Sequence, residues 1–381
     1  MPLTEFVEFP ESRREVGRKP LALRWMLSVL LGAALAFNAC ARPVAPAEPR
    51  ETAPADLAGV VNGLPKSVNF GLWGLAFFKG QLMAASNVGL LQFEGERLAA
   101  FYRWYEDLNV VSGPWLDAQG AVWAFRDDDA RWVRMDTQGV WQRFDLPPSP
   151  VGGYSRGDML EGFTLVTSGG ETYMRGGGAV WRLLKSGAWQ LLPMPPSIEK
   201  GSSVIGFARD RGQEVWLVKR GTICGVLSCE FRVHRMADGQ WSTSARLPLA
   251  AVAQTLAIGS ELYVRGTKGE LLRIASAANE LLQTPGPCEA LAVSSAGRLL
   301  ASFRDLGVFE FDGTTWTRKL EAPYPRFEGE HWVFLAEDRG RIALATTAMS
   351  AFKPAGRNQT GTTGLWLAQH DRFVPAPLPW R

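Results

Sequence analysis

The chain has 381 residues, of which 46% are hydrophobic and 21% charged, and its formal net charge is +3. That balance describes a globular protein with room for two ordinary domains or one large repeat array, and so mild a charge argues against nucleic acid as a partner, which calls for a concentrated basic patch. Forty glycines, 24 prolines and 15 tryptophans, without sustained helical periodicity after the N-terminal region, exclude a helical protein and predict an all-β fold of many short strands and turns.

The N-terminus reads as an export signal. Arg13, Arg14, Arg18, Lys19 and Arg24 precede an apolar run from Trp25 to Phe37, WMLSVLLGAALAF, which suits the hydrophobic segment of a signal peptide and is short for a bilayer span. Ala39-Cys40 follows, then ARPVAPAEPRETAPADLAG, a Pro/Ala-rich stretch too poor in apolar residues to build a core and expected to be a disordered tether. The expected division is a signal peptide over 1–39, a tether over 40–66 beginning at Cys40, and one folded domain over 67–381. A small residue, a cysteine and a flexible leash resemble a bacterial lipoprotein. The resemblance implies lipidation of Cys40 and an extracytoplasmic protein anchored at the outer membrane or facing the periplasm, with the lipid as its one membrane contact. Phe37 and Asn38 depart from the aliphatic and small residues usual before that alanine. Cleavage after Ala34-Leu35-Ala36, which gives a soluble secreted protein, and retention of an uncleaved anchor stand as alternatives.

Beyond the tether one phrase recurs: GVWQRFDLPP from Gly139, GAWQLLPMPP from Gly187, GQWSTSARLP from Gly239 and, degraded, GTTWTRKLEAP from Gly313. Trp141, Trp189 and Trp241 are separated by 48 and 52 residues, and Trp316 follows 75 later, as if one copy between had lost its tryptophan. Seven pieces share this grammar of apolar run, turn, apolar run and closing aromatic: Gly71–Phe101, Val110–Pro148, Arg156–Pro196, Gly201–Pro248, Ala250–Pro287, Cys288–Pro325 and Glu330–Pro379. About 315 residues in seven pieces gives about 45 each, the period of a four-stranded propeller blade. A sheet of that size has two apolar faces and must stack on its neighbours. The expected fold is therefore a seven-bladed β-propeller of four-stranded antiparallel blades, with Gly-x-Trp as the turn into each outermost strand and the tryptophans as packing between blades.

The segments GAVWAFR, QEVWLVK, GQLMAAS and GRLLASF resemble the blades of bacterial sensor propellers of the two-component-regulator type. This resemblance spans residues 67–381 and implies seven blades and a binding surface, without naming a ligand. The accompanying kinase is absent from the chain, and MDTQGVW and FDGTTW miss the spacing of a sialidase Asp-box.

Signals for chemistry are scarce. His234, His331 and His370 are the three histidines, no pair of them has metal-ligand spacing, and no nucleophile-elbow, zinc-protease or phosphate-loop motif occurs. No cofactor, metal or catalytic residue is therefore expected, and Asp127-Asp128-Asp129 reads as a solvated hairpin tip rather than a cation site. Cys224 and Cys229 bracket Gly-Val-Leu-Ser in a long loop and are expected to form a local disulfide in an oxidising compartment. A zinc site recruiting His234 is the alternative, short of a fourth ligand. Cys288 should begin an inner strand as a buried thiol.

Strand parity adds one candidate surface. Arg126, Arg175, Arg220 (after Lys219), Arg265 and Arg304 end the second strands of five pieces. They would face one mouth of the ring together with the long loops Thr222–Cys229 and Met349–Thr363. The expected function is non-catalytic ligand binding or scaffolding, with a protein or anionic polymer at that mouth. The other reading is a propeller enzyme acting on a polysaccharide or lactone, which would need converging carboxylates.

Overall fold

The computed structural model describes residues 50–52, 71–104, 111–126, 131–148, 150, 163–176, 178–196, 202–220, 229–244, 246–275, 278–322, 331–348, 363–369 and 372–376. The expected signal peptide, Cys40, the triple aspartate, Cys224 and most of both long loops lie outside these residues. The described residues form seven antiparallel sheets and no helix. Each blade holds four strands consecutive in the chain, so the seven pieces of the sequence are the seven blades. The inner strands, in order, are Leu72–Phe78, Val111–Leu116, Thr164–Ser168, Ser202–Asp210, Val252–Ile258, Cys288–Val293 and His331–Asp338.

Position within a blade sets the character of each strand. Second strands are covered by a neighbouring blade on both faces, and they are apolar on both faces: every residue of Val122–Arg126 and of Leu299–Phe303 is buried. Outer strands such as Trp189–Leu191, Gln240–Thr243 and Asn279–Leu281 are mostly polar and exposed. The core is accordingly divided among the interfaces between blades. The interface of the second and third blades is the most aromatic, with Trp123, Phe125, Trp132, Phe163 and Trp181 all buried and the Trp132 indole N–H donating to Met174 Sδ at 2.9 Å. Burial of side chains this large contributes on the order of 1.5–3 kcal/mol apiece.

The recurring phrase now has a geometry. Gly139, Gly187, Gly239 and Gly313 take φ of 85°, 83°, 74° and 105°, a region costly for any residue with a Cβ. They turn the chain from the third strand into outer strands that carry Trp141, Trp189, Trp241 and Trp316. Those rings pack inward on their own or adjacent blades, as in Trp123–Trp189 and Trp216–Trp241 at centroid separations of 5.7 and 5.8 Å.

Among the described residues, the ring closes by packing of the seventh blade on the first, without a shared strand. Thr347 Oγ1 there accepts from Leu72 N at 2.9 Å and donates to Leu72 O at 2.8 Å, both buried. Similar side-chain stitches join other inner strands. Gln254 exchanges two 2.9 Å bonds with the Leu291 backbone, and the Thr255 hydroxyl donates to Ile205 O at 2.8 Å. Inner strands diverge around the axis and do not pair with one another, so hydroxyls and amides satisfy backbone groups that a ladder would otherwise use.

One feature differs from expectation. Arg50–Thr52, inside the stretch read as a free tether, is a fifth strand on the first blade, paired Arg50↔Arg103, Glu51↔Tyr102 and Thr52↔Phe101. The outer strand Arg97–Arg103 presents an open edge, and an open edge pairs with any extended backbone delivered to it. Hydropathy does not register that source of order.

Candidate functional site

Inner strands all start at one rim, and second strands end there. Side chains near that rim enclose an axial channel of about 590 Å³, walled by inner strands of six blades together with Arg175 and Arg265. Of the five expected cations these two reach the channel. Arg175 is mostly buried; its Nη1 donates to Val204 O at 3.3 Å and its Nη2 to Thr255 Oγ1 at 3.5 Å, so it reaches across the fourth blade's inner strand to the fifth. Burial lowers its affinity for a proton, to a pKa of about 10, and it stays a cation at neutral pH. Arg265 makes no hydrogen bond or ion pair among the described residues, and its Nε is buried without a partner. Burial lowers its pKa as well, against the opposing influence of Cys288 and Glu289.

The other three stand elsewhere. Arg126 is buried with its guanidinium 5.4 Å from the Trp104 ring centroid, between the first and second blades. Arg304 is exposed and pairs with the buried Glu289 at 2.8 Å. Arg220 ends its strand with a side chain outside the description. A one-residue offset explains Arg126. Trp123, Tyr173 and Tyr263 are equivalent because they face Arg134, Arg182 and Arg273 on the third strands. Arg175 and Arg265 come two residues later, whereas Arg126 comes three later and so points to the opposite face of its sheet.

Two tryptophans that the sequence reading did not single out belong to the channel. Trp73 and Trp332 are each the second residue of an inner strand, line the channel near the rim and meet edge to face at 5.0 Å. The fourth blade, bracketed by Arg175 and Arg265, stands opposite the junction of the seventh and first blades that carries these rings. Their offset from the Gly-x-Trp tryptophans, which occupy outer strands, is the sequence signal that separates them. Glu337 marks the other end of the channel, where it accepts from Ser295 Oγ at 3.0 Å and from the Ser295 and Gly340 backbone N–H groups. The wall between is largely apolar and includes Val166, Leu256 and Phe334. Gly74 makes the wall close-fitting: a Cβ there would lie 1.7 Å from Gly113 O.

The cysteines are placed in part. Cys229 is disulfide-bonded, while its expected partner Cys224 lies outside the described residues. Cys288 is a free, buried thiol at the start of an inner strand, and burial pushes its pKa up to about 12. His234, the ligand considered for zinc, is buried with Nδ1 3.0 Å from Thr243 Oγ1, and burial followed by the nearby Arg232 lowers its pKa.

Fold and site together define a seven-bladed β-propeller with a cationic, aromatic-lined channel mouth. Among solved structures, the chain is similar to the β-propeller domain of the Trilobed protease from Pyrococcus furiosus, a domain of open velcro topology, at 9% identity and a TM-score of 0.51 over 81% of this chain and 98% of that one. Virginiamycin B lyase from Staphylococcus aureus aligns at 14% identity and a TM-score of 0.48, covering 80% of this chain and 96% of the lyase. YCF48 from Cyanidioschyzon merolae aligns at 15% identity and 0.48, covering 81% and 97%. These likenesses concern fold alone. No protein-family model and no curated protein matches the chain.

Proposed function

We propose that this protein is an extracytoplasmic propeller, held to a membrane by lipid on Cys40, that binds an anionic partner at the channel mouth without transforming it. The observation that carries this reading is the pair Arg175 and Arg265, two buried guanidinium groups at one rim without a carboxylate bound to either among the described residues. Low-dielectric walls strengthen the field of such charges and attract anions from a distance. A protein with an acidic surface or an anionic polymer fits that field.

Retention on immobilised heparin tests the mouth. The parent should elute at higher salt than a variant with Arg175→Gln and Arg265→Gln, and the gap should narrow as ionic strength rises. Equal elution across the salt series refutes the binding reading. Fractionation tests the anchor: Cys40→Ser should move the protein from membranes to the soluble fraction, and a parent without lipid by mass would refute lipidation.

A further inference from the structure

We propose that the axial channel is itself a site for a small organic monoanion with an apolar body, an aryl or acyl carboxylate, whose head group is held by Arg265. The proposal rests on the reading that the mouth draws anions, and it adds the size, charge and polarity of what enters.

Five observations converge. The channel volume of about 590 Å³ falls within the range of small-molecule pockets, roughly 300–1,000 Å³. Arg265 lines it with a buried Nε that has no partner among the described residues. A carboxylate offers two acceptor oxygens to the guanidinium fork and so satisfies a buried charge that is otherwise costly. Arg175 shares the unpartnered Nε, but both its Nη groups already donate, to Val204 O and Thr255 Oγ1, so Arg265 is the guanidinium whose fork is open to a ligand, which favours a single negative charge. Glu337 at the far end repels a second negative group and orients the ligand with its head toward Arg265. The body would then lie against Leu256, Phe334 and the Trp73–Trp332 pair across the channel, where aromatic and aliphatic walls favour an uncharged group of like kind.

The test compares two probes that differ in the head group alone. Anilinonaphthalene sulfonate carries an anionic group of the same charge, and N-phenylnaphthylamine lacks it. The Cys40→Ser protein, which needs no detergent, is titrated with each by fluorescence. The sulfonate should bind saturably at one site per chain. Arg265→Gln should weaken it about ten- to a hundredfold, the scale of a charge-assisted hydrogen bond, with far less effect on the neutral probe. Arg265→Lys, which keeps the charge and the fold while losing the fork, should fall between. Trp332→Ala should weaken both probes. Unchanged sulfonate binding in Arg265→Gln, or equal losses for both probes, overturns the proposal. Salt-dependent heparin retention without saturable sulfonate binding also overturns it, while leaving the anion-binding mouth intact; loss of heparin retention in the parent removes the broader reading instead.

Discussion

Replacing Asp117 by Ala should be among the most destabilising single changes outside the aromatic core. This aspartate sits in the turn between the first two strands of the second blade, only 4% exposed. Its Oδ1 accepts from the backbone N–H of Gln119 at 2.9 Å and of Ala121 at 2.8 Å. Its Oδ2 accepts from the Trp123 indole at 2.9 Å and from Arg134 Nε at 3.0 Å. Alanine strands the Ala121 donor and the indole in a buried site and leaves Arg134, whose side chain is 18% exposed, without its counterion. Breaking a buried pair of this sort costs about 3–5 kcal/mol. Asparagine recovers the two backbone bonds and turns an N–H group toward the indole and Arg134, so it should lie between alanine and the parent. Asp136 supplies the internal comparison. It accepts from the backbone of Gln138 and Val140 in a similar turn, but on the exposed side of the same blade, so Asp136→Ala should have a much smaller effect. Equilibrium urea denaturation followed by tryptophan fluorescence reads all three. An Asp117→Ala midpoint equal to that of Asp136→Ala would refute the argument, because buried donors and the added bonds to the Trp123 indole and Arg134 are what separate the two sites.

Gly74→Ala should perturb the channel wall and lower the thermal midpoint, because its Cβ would meet backbone, the Gly113 carbonyl, and not a side chain able to swing away; a midpoint equal to the parent's refutes the close approach. Thr347→Val keeps the shape of the side chain but leaves the buried N–H and C=O of Leu72 unpaired, at about 2–4 kcal/mol, and hydrogen exchange should show the seventh and first blades separating earliest. Because the folded state lowers the His234 pKa, stability should hold above about pH 6.5, the ordinary histidine value, and fall as the pH drops below it, since the unfolded chain takes up the proton first. His234→Gln should flatten that slope in denaturation series at successive pH values, and an unaltered slope would show that other groups cause it.

The sequence by itself determined the architecture. A period of about 45 residues, seven times over, requires stacked sheets because no single blade can hide two apolar faces, and Gly-x-Trp marks the outer strands because the turn demands a positive φ at Gly139 and its counterparts. The buried thiol of Cys288 was legible for the same reason, as a residue inside an apolar inner-strand run. Strand ends were legible as well, and with them the backbone position of each arginine at the end of a second strand. Which way each side chain turns was not. A shift of one residue sends Arg126 between the first two blades while Arg175 and Arg265 reach the axis, and that parity is fixed by pairing with the third strand, which composition does not encode. Charge pairing likewise needed three dimensions, since Glu289 holds Arg304 from 15 residues away on the neighbouring strand. Trp73 and Trp332 lie 259 positions apart and meet only because the ring closes. The strand at Arg50–Thr52 depends on an open sheet edge that exists once the first blade has formed, so its order comes from the fold and not from its own residues.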